Sequence, residues 1–302
     1  ATDKTYSKEL LQQGVESILN RLNAMMSTYM PSSEISRFNQ LAVGACITIS
    51  EEFFKVTQQA VNLHSLSNFS FNPLVGALVN RWGFGSSNQT FDFPSSEEVA
   101  NLLKQSNINN IFLDIDSQSL CKRAQTKLDL SAIAKGYAVD QVAKWLTDKG
   151  LDNYLVDIGG EIKVSGSNQK NLPWRVAIEK PEAMLNSVYE VIAINDLSVA
   201  TSGDYRNFFE HEGQRYSHTI NPESGWPVTH GVASVTVIHH SAMMADAWAT
   251  ALNVAGLEKT RLLAEKLNLA VYVIQRNNTA AEVSDEYITW YSNAFSPYLL
   301  KP

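Results

Sequence analysis

Asp246 and Thr250 stand four residues apart in SAMMADAWATALNVAG (241–256), a stretch otherwise dominated by Ala, Met, Trp, Leu and Val. On a helix, residues i and i+4 lie one above the other, so this spacing aims a carboxylate and a hydroxyl at one point. Two readings are open. The Thr hydroxyl could bond back to its own helix, with Asp246 facing water or an arginine. Against that, no Lys or Arg lies between Ser241 and Leu257 to partner the acid, and burying an unpartnered carboxylate is costly. With one backbone carbonyl and a few water or phosphate oxygens, the pair would complete a six-oxygen shell for Mg2+.

Three further stretches carry chemistry. LDLSAIAKGYAVD (128–140) places Asp129 at a strand end and Ser131 at a helix start, where free N–H groups and the helix dipole favour an anion, and Lys135 adds positive charge. Plain N-capping by Asp129 or Ser131, with a solvated lysine, is the alternative. In SVATSGDYRNFFEHEGQRYSHTINPESGWPV (198–228), Thr201-Ser202-Gly203 supplies a tight turn with small donors. His218 sits there in a polar loop, where an imidazole can take a proton at neutral pH or simply face solvent. DIGGE (157–161) sets a glycine pair between two β-rich runs, which either turns the chain or lets backbone approach a ligand. No GxGxxG opening a helix and no GxxxxGK[ST] occurs, so the familiar nucleotide loops are absent.

The elements expected to hold these groups alternate in texture along the chain. Leu11, Val15, Ile18, Leu22 and Met25 recur at helical spacing within 6–28. CITIS (46–50) reads as a strand running into a helix capped by Ser50 and reaching about Ser67, and Ser95 with Glu98 has capping-box spacing. IFLDI, SLCKRA and TKLDL read as strands before a helix over AIAKGYAVDQVAKWLTDKG that Gly150 stops. From YLVDIGG onward, β-rich runs separated by turn residues indicate antiparallel meanders, interrupted by helices at 241–254 and 257–267. The expected class is α+β: antiparallel or mixed sheets flanked by helices, in one domain over 1–302 made of two intimately packed subdomains. No repeat or low-complexity linker divides it.

Composition bounds the partners. With 302 residues, 44% hydrophobic and 18% charged, the chain is globular, and 24 Lys+Arg against 31 Asp+Glu give a net charge of −7. Without a basic cluster, nucleic acid and anionic membrane surfaces are poor partners. Cys46 and Cys121 are too few for a zinc cage and lack CxxC spacing, so a metal here is expected to be a hard cation on oxygen ligands. The two are expected as free buried thiols, with a disulfide as the alternative in an oxidising compartment. No apolar run approaches the ~20 residues of a membrane span, and ATDKTYSKEL has no signal-peptide pattern, so any export signal is expected upstream.

Seven motifs in order resemble those of the FAD:protein FMN transferases, the ApbE-like flavin transferase family: MSTYMPSSEISRFNQ (26–40), PLVGALVNRWGFG (73–85), LDLSAIAKGYAVDQVA (128–143), YLVDIGGEIKVSG (154–166), LSVATSGDYRNFF (197–209), SHTINPESGWPV (217–228) and ADAWATAL (245–252). The resemblance implies an enzyme that binds FAD and Mg2+, splits the pyrophosphate and attaches FMN through a phosphoester to a Thr or Ser of a flavoprotein, releasing AMP. It places metal ligands at Asp246, Thr250 and the backbone oxygen of Ala132. Flavin-nucleotide contacts fall at Tyr29, Ser70, Phe71, Asn72, Asp129, Lys135 and Ile220, and His218 takes the place of the acceptor's base. Phe69 and Asn72 stand where a Gly and an Asp are common in the family, and Lys135 where an acidic residue can occur. The implied acceptor is a subunit of a redox complex carrying a [ST]GA[ST]-like segment. The implied location is the bacterial envelope, on the periplasmic side of the inner membrane, with a lipid anchor preceding the chain. Two other outcomes share these residues: a Mg2+-dependent FAD pyrophosphatase, and a non-catalytic flavin-binding protein.

Overall fold

A computed structural model describes residues 6–85, 92–182, 187–203, 207–277 and 287–300. Seven helices are described: α1 (Lys8–Met26), α2 (Glu34–Gln40), α3 (Glu51–Leu66), α4 (Gly76–Arg81), α5 (Ser96–Leu103), α6 (Ser131–Asp148) and α7 (Ala242–Leu267). The strands are β1 (Cys46–Thr48), β2 (Ile111–Asp114), β3 (Ser119–Lys122), β4 (Tyr154–Ile158), β5 (Glu161–Ser165), β6 (Trp174–Glu179), β7 (Val188–Ile194), β8 (Ser198–Gly203), β9 (Phe208–His211), β10 (Gln214–Ser217), β11 (Val232–His239), β12 (Ala270–Arg276) and β13 (Tyr287–Tyr291).

Capping chemistry fixes several helix starts. Ser7, Ser33, Ser50 and Ser95 each accept the backbone N–H of the third residue of α1, α2, α3 and α5, and Ser95 with Glu98 completes a reciprocal capping box. Two short helices, α2 and α4, go beyond the sequence expectation. In α2, a Ser33 cap and the buried pair Ile35 and Phe38, three apart, supply what its length lacks. TKLDL is not a strand. Its backbone and side-chain bonds go to scattered partners instead: Thr126 Oγ1 donates to the Gln105 carbonyl, and Asp129 N donates to the Pro73 carbonyl. Asn39 holds Leu128 on both sides, Nδ2 donating to its carbonyl at 2.9 Å and Oδ1 accepting its N–H at 2.7 Å.

The main sheet runs β13-β12-β11-β8-β5-β4, and every strand pair described is antiparallel. Strand alternation sends Val271 and Val273 of β12 to one face and Ala270, Tyr272 and Ile274 to the other. The first face packs against α6 and α7 in a core that extends from Ile18 to Val273. The second is covered by the β6–β7 hairpin through Val176, Ile178, Ile192 and Ile194. A third cluster, around Trp82 and Val99, reaches the β9–β10 hairpin through Phe209 and Tyr216. The largest core therefore draws on both ends of the chain.

One correction concerns local geometry. Cys46 and Cys121 are not free thiols: they face each other across the β1–β3 ladder and form a disulfide. The small sheet β1-β3-β2 brings positions 75 apart in sequence into direct register, a long-range pairing that spacing alone cannot show. The helices expected at 241–254 and 257–267 are the two limbs of α7, bent at Gly256, whose φ of 74° is open to glycine and unfavourable for an L side chain.

Candidate active site

Where the ends of these elements converge, they enclose a cavity of about 540 Å³, within the range of small-molecule sites. Asp246, Thr250 and Val254 of α7 line one wall at i, i+4 and i+8, as helical spacing requires. Asp129, Ala132 and Lys135 come from the start of α6 and the residues before it. The β4–β5 turn adds Asp157, Gly159, Gly160 and Glu161, and the end of β8 adds Thr201, Ser202 and Gly203. Ser70, Phe71 and Asn72 close another side, with His218 and Ile220 from the loop after β10. Tyr29 is not among them. It lies on the turn after α1, 73% exposed. Residues 204–206 of the Ser198–Val228 run lie outside the described residues.

The wall formed by α6 and α7 depends on a close crossing. A Cβ at Gly136 would lie 2.2 Å from the carbonyl oxygen of Ala242 and 2.8 Å from the Cβ of Asp246. Only a glycine lets the helices meet there, and its N–H donates to Asp246 Oδ2 at 2.9 Å. Asp246 is buried, and burial, followed by the charge of Glu161, pushes its carboxyl up to about 7; Lys135 and the Gly136 N–H offset this in part. The functional reading of the Asp-Thr pair thus has its geometry: the acid is inside, and no salt bridge neutralises it among the described residues.

Glu161 was not anticipated as a site residue. It is 3% exposed, Lys135 Nζ donates to its Oε1, and its Oε2 has no hydrogen-bond partner. Burial raises its carboxyl above the ordinary range, and Lys135 opposes the shift. The glycine pair was the signal that could have found it, since Gly159 and Gly160 turn the chain at φ of 68° and 100° and start β5 with Glu161 pointing inward. Asp129 is not the N-cap of α6, a position Leu130 holds; it lines the cavity while its Oδ1 accepts the N–H of Ser131, two residues on, at 2.8 Å. Asn72 spends its side chain on the fold: Nδ2 donates to the Ser106 carbonyl at 2.7 Å and Oδ1 accepts the Leu74 N–H at 2.8 Å.

A backbone carbonyl orients His218. The carbonyl oxygen of Asn207 accepts its main-chain N–H at 3.1 Å and faces ring Nδ1 at 3.0 Å. A carbonyl only accepts, so Nδ1 carries the ring proton and the neutral imidazole has its lone pair on Nε2. The hairpin places Asn207 and His218 just beyond the Phe208–Ser217 pair, and Phe84 packs edge-on against the imidazole.

A divalent cation fits this donor set. Asp246 is a buried carboxylate, Thr250 and Ala132 line the same cavity and carry hard oxygens, and Glu161, also in the lining, has an orphan oxygen. Among the described residues, no three His, Cys, Asp or Glu side chains cluster closely enough to form a metal cage alone. The remaining positions of a cation's shell would then fall to water or ligand oxygens.

The sequence model of the ApbE family matches residues 2–273. The chain belongs to the ApbE family. The FAD:protein FMN transferase of Vibrio cholerae is 40% identical over 292 residues, covering 96% of this chain and 85% of that protein. That of Haemophilus influenzae is 41% identical over 296 residues, covering 96% and 84%. The solved structure of the flavin transferase ApbE from Vibrio cholerae superposes with a TM-score of 0.89 at 37% identity, covering 99% of this chain and 93% of that one. The α+β architecture with antiparallel sheets is thus a family property.

Proposed function

We propose that this chain is an FAD:protein FMN transferase that splits FAD and joins its FMN half to a Thr or Ser hydroxyl of a flavoprotein. The observation that carries the reading is one cavity with a buried carboxylate–hydroxyl pair on α7 in one wall and an imidazole of defined tautomer in another, in a chain of this family. The bond formed joins the acceptor oxygen to the FMN phosphorus. The bond broken is the pyrophosphate link, and AMP leaves with the bridging oxygen. His218 Nε2 takes the hydroxyl proton, making an otherwise inert alcohol nucleophilic. Lys135 and the N-terminus of α6 set positive potential against the phosphates, and Ser70, Phe71, Asn72, Asp129 and Ile220 shape the space for the nucleotide. Tyr29 stays part of this flavin-contact set as an exposed aromatic outside the cavity.

Asp246, Thr250 and the Ala132 carbonyl would hold Mg2+, which when bound neutralises charge on the pyrophosphate oxygens. The acceptor proposed is a redox-complex subunit with a [ST]GA[ST]-like segment. The proposed location is the periplasmic side of the inner membrane, with a lipid anchor; the disulfide supports the oxidising compartment in that reading. The deciding experiment incubates the protein with FAD, Mg2+ and such an acceptor and weighs the acceptor by mass spectrometry. A mass increase of one FMN on the Thr is expected. AMP release at the same rate without acceptor would make the protein a pyrophosphatase, and intact FAD throughout would make it a flavin carrier.

A further inference from the structure

We propose that Glu161 is an additional oxygen donor to the divalent cation, through its Oε2. The inference rests on the metal site of the reading above and adds a residue to it. Glu161 opens β5 immediately after the Gly159–Gly160 turn and is 3% exposed. The Lys135 ammonium occupies Oε1, while Oε2 is buried without a donor. A buried carboxylate oxygen with nothing to bind loses its hydration uncompensated, and such a cost persists in a native fold where a bound group compensates it.

Charge says which kind of group. Asp246 and Glu161 bring two carboxylates to the cavity against the single ammonium of Lys135, and each acid lies within electrostatic reach of the other. One ammonium cannot offset both acids once they ionise, and a divalent cation standing between them would. The neighbouring residues suit a cation too: Thr250, with a hydroxyl, and Ala132, with a main-chain carbonyl, both line the cavity. Gly159 lies close by: a Cβ there would sit in ordinary contact with Oε2, at 3.6 Å. Lys135, half exposed, keeps Oε1 occupied and so leaves Oε2 as the coordinating atom.

Mn2+ is the probe, titrated into the full chain without flavin or acceptor and followed by the electron paramagnetic resonance of the free ion. Glu161→Gln preserves size and can still accept the Lys135 hydrogen bond. It is expected to weaken Mn2+ binding at least tenfold with an unchanged circular dichroism spectrum. Asp246→Asn serves as the reference and is expected to lose binding by more. Binding of Mn2+ by Glu161→Gln within twofold of the parent overturns the proposal. So does unchanged Mn2+ binding accompanied by lost FAD affinity, which would make Glu161 an acceptor for a ligand N–H or O–H. Unchanged Mn2+ binding in Asp246→Asn would remove the cation site altogether, whereas FMN transfer measured alongside reports separately on the enzyme reading. Should Glu161→Gln not fold, Glu161→Asp, which withdraws the carboxylate by one methylene, decides: at least threefold weaker Mn2+ binding is expected, and none overturns it.

Discussion

Asp246 has a carboxyl that ionises near 3.8 in an unstructured chain and is pushed up to about 7 in the fold, chiefly by burial. The folded state therefore disfavours the ionised form. The stability it costs grows as pH rises from roughly 4 to about 7 and is complete above that, a few kcal/mol for a shift of this size. In EDTA, the protein is expected to melt several degrees lower at pH 8 than at pH 5.5, and millimolar Mg2+ should narrow the gap at pH 8. A calorimetric melting temperature that is flat with pH would mean that the carboxylate is solvated. His218 gives the second residue-scale test. His218→Ala should bind FAD within a few-fold of the parent by flavin fluorescence, while transfer falls roughly 10²- to 10⁴-fold. Lost binding with normal transfer at saturating FAD would reduce the imidazole to a positioning role. Asp246, Thr250 and His218 were legible because an acid without a cation in an apolar helix and a histidine in a polar loop are local signals. Glu161 was not, because its meaning depends on Lys135, which is 26 positions away, and on an inward turn that glycines permit but do not announce.

At the scale of elements, the crossing of α6 and α7 is the joint on which the carboxylate depends. Gly136→Ala puts a methyl into the Ala242 carbonyl, a backbone atom that cannot rotate aside. We expect a loss of about 1–3 kcal/mol, read as a lower urea midpoint, together with weakened Mg2+ binding as Asp246 is displaced. A midpoint equal to the parent's would show that the two helices can part freely. The main helices and strands were readable from periodicity and caps, because Ser50, Ser95 and the alternating β runs act within a few residues. What escaped was short or held from afar. α2 and α4 are too brief to show a period, and the segment at 126–130 is fixed by Asn39 and by backbone carbonyls elsewhere rather than by a neighbouring strand.

Across the whole molecule, the Cys46–Cys121 bond closes a loop of 75 positions, for which chain entropy gives a stabilisation of roughly 4 kcal/mol. Reduction with dithiothreitol is expected to lower the melting temperature by about 5–10 °C, and Cys46→Ser should melt at the reduced value with or without reductant. Equal melting of oxidised and reduced protein would contradict that account. The bridge also lies in series with the cavity. Lys122, next to Cys121 and buried, donates to the carbonyl of Asn39, and Asn39 grips Leu128 beside Asp129.

His218 is aimed by the carbonyl of Asn207 across the mouth of the β9–β10 hairpin, whereas the carboxylates and the lysine belong to the helices and the main sheet. The proton acceptor and the carboxylate wall are therefore lodged in separately breakable pieces. A single protease nick at the exposed tip, between Glu212 and Gly213, would set the imidazole adrift while the acids and the lysine keep their places.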